Sequence, residues 1–170
     1  NPEISDKILD GGHEIGFHTM KHTRLDTPNF RSLFTQELEN FEKLTSRKPI
    51  GFRAPTFSLN KESSWIINEL INFGYKYDSS IVPAKTTMYG MPSAEKTPYK
   101  ISSSSLDKND PNGTLTEFPL LVTKILGKTI PVAGGFYLRT LPLRIIKNSI
   151  KSYEKNKNPA SFYIHSWELT

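Results

Sequence analysis

Four histidines stand in this chain of 170 residues, at His13, His18, His22 and His165. Two of them belong to the run His18-Thr19-Met20-Lys21-His22. A spacing of four puts two imidazoles on one side of a helix or tight turn, within reach of one metal ion. A hydrogen-bonded surface pair is the other reading of the same spacing. His165, in Phe162-Tyr163-Ile164-His165, can act as a general acid toward a departing amine or alcohol, or can be a core histidine bonded to a backbone carbonyl. Arg53 precedes Ala54-Pro55, which forbids a helix, and so reads as a buried cation that orients a carboxylate. Asp78, in Tyr77-Asp78-Ser79-Ser80, is either a functional carboxylate or the start of an Asx turn. There is no cysteine, which excludes disulfides, thiolate metal sites and cysteine nucleophiles.

These groups must be positioned by an alternation of elements. Ser5 or Asp6 can cap a short helix that Gly11 and Gly12 stop near Asp10. His13 to Phe17 alternates weakly, as a strand does. Asn29 caps a helix whose Phe30, Leu33, Phe34, Leu38, Phe41 and Leu44 share one face, with Pro49 beyond its end. Ile50 to Arg53 reads as a strand. Asn60 caps a helix carrying Trp65, Ile66, Leu70 and Ile71 that Gly74 closes, and Tyr75 to Asp78 is the next strand. Ser79 to Asn112 is long and irregular, which in a compact domain is often functional. Thr116 to Pro119 is a short strand, Leu143 to Tyr153 a basic amphipathic helix with Pro142 at its first turn, and Ala160 to Trp167 an aromatic strand. Strands alternating with helices predict an α/β fold with a parallel sheet. His18, Arg53, Asp78 and His165 all fall at the carboxyl ends of strands, where such folds gather their active sites.

The length fits one domain spanning 1–170. The longest apolar stretches, Ile130 to Leu138 and Ser64 to Ile71, fall well short of a membrane span. Net charge is +5, concentrated between Leu120 and Ala160, where eight basic residues face one acid, Glu154. That segment could attract a polyanion, but it carries no nucleic-acid motif and reads as a solvated helix face with loops. Nucleic acid is therefore not an expected partner. The compartment is not fixed by these features.

The segment from Gly11 to His22 matches "GHEIGxHxxxH", and with Arg53-Ala54-Pro55, Tyr75 to Ser80 and "FYIHSWEL" it resembles the polysaccharide deacetylases of the NodB-homology type, carbohydrate esterase family four. "FRAPTFSL" and "YKYDSS" resemble the branch associated with exopolysaccharide loci. The resemblance implies an irregular (β/α) barrel of about seven strands. It implies a metal-dependent hydrolase that removes N-acetyl groups from hexosamine residues of a polysaccharide. His18 and His22 would hold a divalent ion, most commonly Zn2+, together with an aspartate. The ion would activate water and polarise the acetyl carbonyl. His165 would protonate the departing amine, Arg53 would orient the base aspartate, and Asp78 would tune the histidine or shape the pocket. The backbone N–H of Thr56, after Pro55, would hold the oxyanion. Phe57 and Trp167, with Tyr77, are candidate platforms for a sugar ring.

Two departures from the family pattern matter. Thr56 stands where a tyrosine is usual. No Asp-Asp pair occurs anywhere, although that pair supplies the base and third ligand in the family's first motif. The chain opens on Asn1 without methionine, and the expectation is a domain truncated at both ends and lacking its first strand, with little activity by itself. The reading from another class is a non-catalytic carbohydrate-binding barrel that keeps the cleft and lacks the base.

Overall fold

The computed structural model describes residues 2–45 and 47–168. Helix α1 (Pro2–Asp10) starts before the expected caps, so Ser5 and Asp6 lie inside it. It ends as expected: the amides of Gly11 and His13 bond back to Lys7 and Ile8, and Gly12 takes φ 80. The stretch after it is extended but joins the sheet at Phe17 alone, through a parallel bridge to Phe52. Helix α2 (Phe30–Glu42) buries Phe30, Phe34 and Leu38, residues four apart on one stripe. Asn29 precedes it in a left-handed conformation and makes no side-chain cap, contrary to expectation; the Ser32 hydroxyl instead donates to the Asn29 carbonyl at 2.7 Å. Before α3 (Ile66–Asn72), Asn60 Oδ1 accepts the amides of Glu62 and Ser63 at 2.9 and 3.1 Å, so its cap serves the turn that leads into the helix.

Strands β1 (Gly51–Phe52), β2 (Tyr77–Asp78), β3 (Tyr99–Ile101) and β4 (Leu115–Glu117) form one mixed sheet in the order β1-β2-β4-β3. β1, β2 and β4 are parallel, and β3 runs antiparallel to β4. β3 lies inside the stretch read as irregular, because its alternation spans only Tyr99 to Ile101. β5 (Val122–Ile125) and β6 (Lys128–Pro131) form an unexpected hairpin, turned by Leu126 at φ 48 and Gly127 at φ 80. A short helix, α4 (Gly135–Thr140), was likewise not legible, and α5 (Leu143–Lys155) follows with Pro142 as its cap residue. The aromatic segment after Ala160 is no full strand: Ser161 bridges to Leu120, and the chain then runs extended into a 3-10 turn at Ser166–Glu168. The fold is thus mixed α/β. The described residues form a four-stranded sheet and a hairpin rather than the expected seven-stranded barrel.

Two apolar clusters hold these pieces. One packs Phe34 and Leu38 of α2 and Ile66, Ile67 and Leu70 of α3 on Phe17, Phe52, Ile101 and Leu115 of the sheet. The other joins Phe57, Val82, Leu120, Leu121, Val132 and Ile146. Burying each of these side chains contributes roughly 1.5–3 kcal/mol before conformational entropy is charged against it. Among the described residues no helix is long and apolar enough to cross a membrane.

Candidate active site

The parallel strands all point their carboxyl ends to one side. His18 follows Phe17, Arg53 follows β1, Ser79 follows β2, and His165 ends the extended segment that begins at Ser161. These residues line one cleft of about 610 Å³. Its wall also carries His22, Thr56, Phe57, Tyr77, Tyr89 and Tyr163. Of the residues expected at the site, His18, His22, Arg53, Thr56, Phe57 and His165 come together here, while Pro55, Asp78 and Trp167 do not line the cleft. Ser79 and Tyr163 lie within the motifs but were given no role by them, and Tyr89 lies outside every motif.

His18 donates from Nδ1–H to the Arg53 carbonyl, 2.7 Å away, which leaves Nε2 for the cleft. Thr19 and His22 take left-handed φ values of 53 and 55, and the tight turn between them brings the His22 ring to 4.9 Å from that of His18, centroid to centroid. Desolvation lowers the His18 pKa, and the neighbouring His22, Arg53 and His165 act in the same direction against the Arg53 carbonyl. A neutral imidazole with a fixed tautomer is what a divalent ion requires of a ligand. The pair therefore fits two positions of such a site. Among the described residues, no three His, Cys, Asp or Glu side chains converge on a common point.

Arg53 donates from Nε to the Ser79 carbonyl at 2.8 Å and from Nη2 to the Ser79 hydroxyl at 2.7 Å. Ser79 in turn donates to the Phe118 carbonyl at 2.7 Å, so the guanidinium is tied to β2 and β4 at once. Burial lowers its pKa, and Asp78 and Glu117 offset this. Behind the sheet, Asp78 is fully buried and accepts the Ser80 hydroxyl at 2.5 Å, while Ser80 Oγ accepts the Ala54 N–H at 2.8 Å. Asp78 thus acts on the cleft from behind it, through the bond of Ser80 to the loop after β1 and by its charge on Arg53. In that loop Thr56 and Phe57 hold left-handed φ values of 55 and 50, conformations that cost a β-branched residue energy and are kept where surrounding contacts enforce them. Tyr77 donates to Glu14 at 2.6 Å, and burial together with Glu14 pushes its hydroxyl up to about 12. Its ring lies over Gly51, where a Cβ would sit 2.2 Å from it.

Residues 1–77 match the family model described as Polysaccharide deacetylase, and residues 79–170 match the one described as Domain of unknown function (DUF3473). Residues 1–77 thus belong to the polysaccharide deacetylase family. A peptidoglycan deacetylase of Helicobacter pylori is 27% identical over 154 residues, which is 86% of this chain and 47% of that protein. A peptidoglycan deacetylase-like protein of Gibberella zeae is 29% identical over 110 residues, 61% of this chain and 32% of its own length. The chain thus spans 32% and 47% of the length of these two curated relatives. A solved Pseudomonas aeruginosa structure described as a probable polysaccharide deacetylase shares the fold at TM-score 0.57 and 16% identity, over 97% of this chain and 50% of that one.

Proposed function

We propose that the cleft hydrolyses N-acetyl groups on hexosamine residues of a polysaccharide. The observation that carries this reading is the meeting of three histidines on one cleft, with His18 Nδ1 fixed by the Arg53 carbonyl. His18 and His22 would hold a divalent ion, for which zinc is the reference choice, since imidazole also suits cobalt, nickel and manganese. When bound, such an ion supplies Lewis-acid polarisation of the acetyl carbonyl and activates water. The chain's own residues do the rest. The Thr56 N–H donates to the oxygen that becomes negative as water adds to the carbonyl carbon. His165 gives a proton to the amide nitrogen as the carbon–nitrogen bond breaks, so that acetate and a free amine leave. Arg53, held by Ser79, keeps the loop that carries Thr56 in place and brings positive charge to the cleft wall. Phe57, Tyr89 and Tyr163 form an aromatic wall, with ring centroids 5.1 and 5.0 Å from Phe57, against which a sugar face can lie.

Among the described residues no third metal-ligating side chain joins the two histidines, and this reading assigns no residue of the cleft as the third ligand or as the proton-accepting carboxylate. Assay of acetate released from N-acetylglucosamine oligomers by the intact gene product tests it. Wild type should release acetate in a metal-dependent way, and His18→Ala and His165→Ala should each lose at least about 100-fold. Oligomer binding with no acetate release would instead favour a carbohydrate-binding role for the same aromatic wall.

A further inference from the structure

His165 sits on a segment with little regular structure, and its side chain is 43% exposed. A proton donor so placed needs something to orient it. Three groups do so. The Trp167 ring stacks on the imidazole at 4.3 Å with 11° between planes, and Tyr163 meets it edge-on at 5.5 Å. The third is Glu168, whose Oε2 lies 3.2 Å from His165 Nδ1 and also accepts the His165 N–H at 2.8 Å.

Glu168 is itself held. Its side chain is only 7% exposed, and Oε1 lies 3.5 Å from Arg139 at the end of α4. The carboxylate occupies the space above Gly135, where a Cβ would come within 1.6 Å of Oε1. Gly134 serves Tyr163 in the same way, at 2.4 Å. The two glycines form a bed for the partners of His165, and any side chain at 135 would evict the carboxylate. The His165 N–H holds the Glu168 carboxyl below its usual range, so it is an anionic acceptor at neutral pH. Asp78, by contrast, faces away from the cleft and spends Oδ1 on Ser80.

We propose that Glu168 is the positioning carboxylate of His165: it accepts a hydrogen bond from Nδ1–H, so that Nε2 is the nitrogen presented to the cleft, and Arg139 and Gly135 keep it there. A carboxylate on the far nitrogen of a histidine fixes both tautomer and ring orientation. The inference rests on the reading of His165 as the proton donor, and the test separates the two. In the intact gene product, Glu168→Ala should lower kcat roughly 10–100-fold with KM nearly unchanged, the usual effect of removing such a partner. Glu168→Gln should recover part of the loss, because its amide oxygen can still accept from Nδ1. Nitrogen-15 NMR of the histidine rings supplies a readout independent of turnover. Wild-type His165 should be the Nδ1–H tautomer when neutral, and Glu168→Ala should shift it toward Nε2–H. Gly135→Ala, which displaces the carboxylate without removing it, should give the same spectrum as Glu168→Ala. If His165→Ala is inactive while Glu168→Ala keeps wild-type kcat and tautomer, the inference is overturned and the functional reading stands. If His165→Ala is fully active, the functional reading fails, and the tautomer shift alone decides whether Glu168 holds the ring.

Discussion

Replacing Glu117 separates two jobs that one carboxyl performs. Its Cα is in register with that of Asp78 across β2 and β4, and both side chains are fully buried. Glu117 Oε1 accepts the Ile81 N–H at 2.9 Å. Asp78 Oδ2 and Glu117 Oε2 have no other partner, so one proton held between them satisfies both. Burial pushes both carboxyls above the ordinary range, and the neighbouring Asp78 pushes Glu117 further, which puts the proton on Glu117. Glu117→Ala leaves the Ile81 N–H and Asp78 Oδ2 unpaired away from water. At about 1–3 kcal/mol for each orphaned group, plus lost packing, the expected destabilisation is about 3–5 kcal/mol. Glu117→Gln keeps an acceptor for Ile81 and a donor for Asp78, and should cost less than about 1 kcal/mol at neutral pH. The pH dependence follows from the same proton. The folded pair keeps a proton that the unfolded chain releases once pH exceeds the ordinary carboxylate range. The pair's contribution to stability is therefore fully present below about pH 4 and is lost as pH rises, by at most about 1.4 kcal/mol per unit for one proton. Glu117→Gln removes that uptake and should flatten the slope. Urea unfolding at about pH 5 and pH 8 measures both effects. Equal losses for the alanine and glutamine variants, or an unchanged slope in Glu117→Gln, would refute the reasoning.

Other outcomes follow from local geometry. Asn60→Ala removes the acceptor for the Glu62 and Ser63 amides and should cost about 1 kcal/mol in urea unfolding; no change would mean that water replaces the cap. Gly51→Ala places a Cβ against the Tyr77 ring, and should cost about 1–3 kcal/mol and alter the near-ultraviolet circular dichroism of the cleft tyrosines. Thr56→Gly relieves a left-handed φ of 55, so stability should hold or rise by up to about 1 kcal/mol. Because its N–H is retained, acetate release should stay within a few-fold of wild type, and a large loss would assign a role to the threonine side chain.

The residues of the cleft were more legible than the sheet that carries them. His18, Arg53 and His165 could be placed because each follows an apolar segment whose end is marked by a polar residue or a proline. Asp78 shows the limit of that reasoning. Side chains alternate across a strand, so Tyr77 meets the cleft while Asp78 points behind the sheet, and a strand of two residues gives no pattern from which to choose. Tyr89 comes from the long segment after β2, where turns rather than periodicity set direction. Tyr163 and Glu168 find their places on Gly134 and Gly135, a contact between distant parts of the chain that local sequence does not encode. The hairpin of β5 and β6 went unread because its turn is Leu126-Gly127 rather than a stronger Asn-Gly or Asp-Gly signal.

Zinc titration of the full-length protein by calorimetry, with His18→Ala, His22→Ala and His165→Ala beside it, tests the site most directly. The two-imidazole account predicts one ion per wild-type chain, loss of binding in His18→Ala and His22→Ala, and retention in His165→Ala. Binding that survives both His18→Ala and His22→Ala, or a wild-type chain that takes up no zinc, would contradict it.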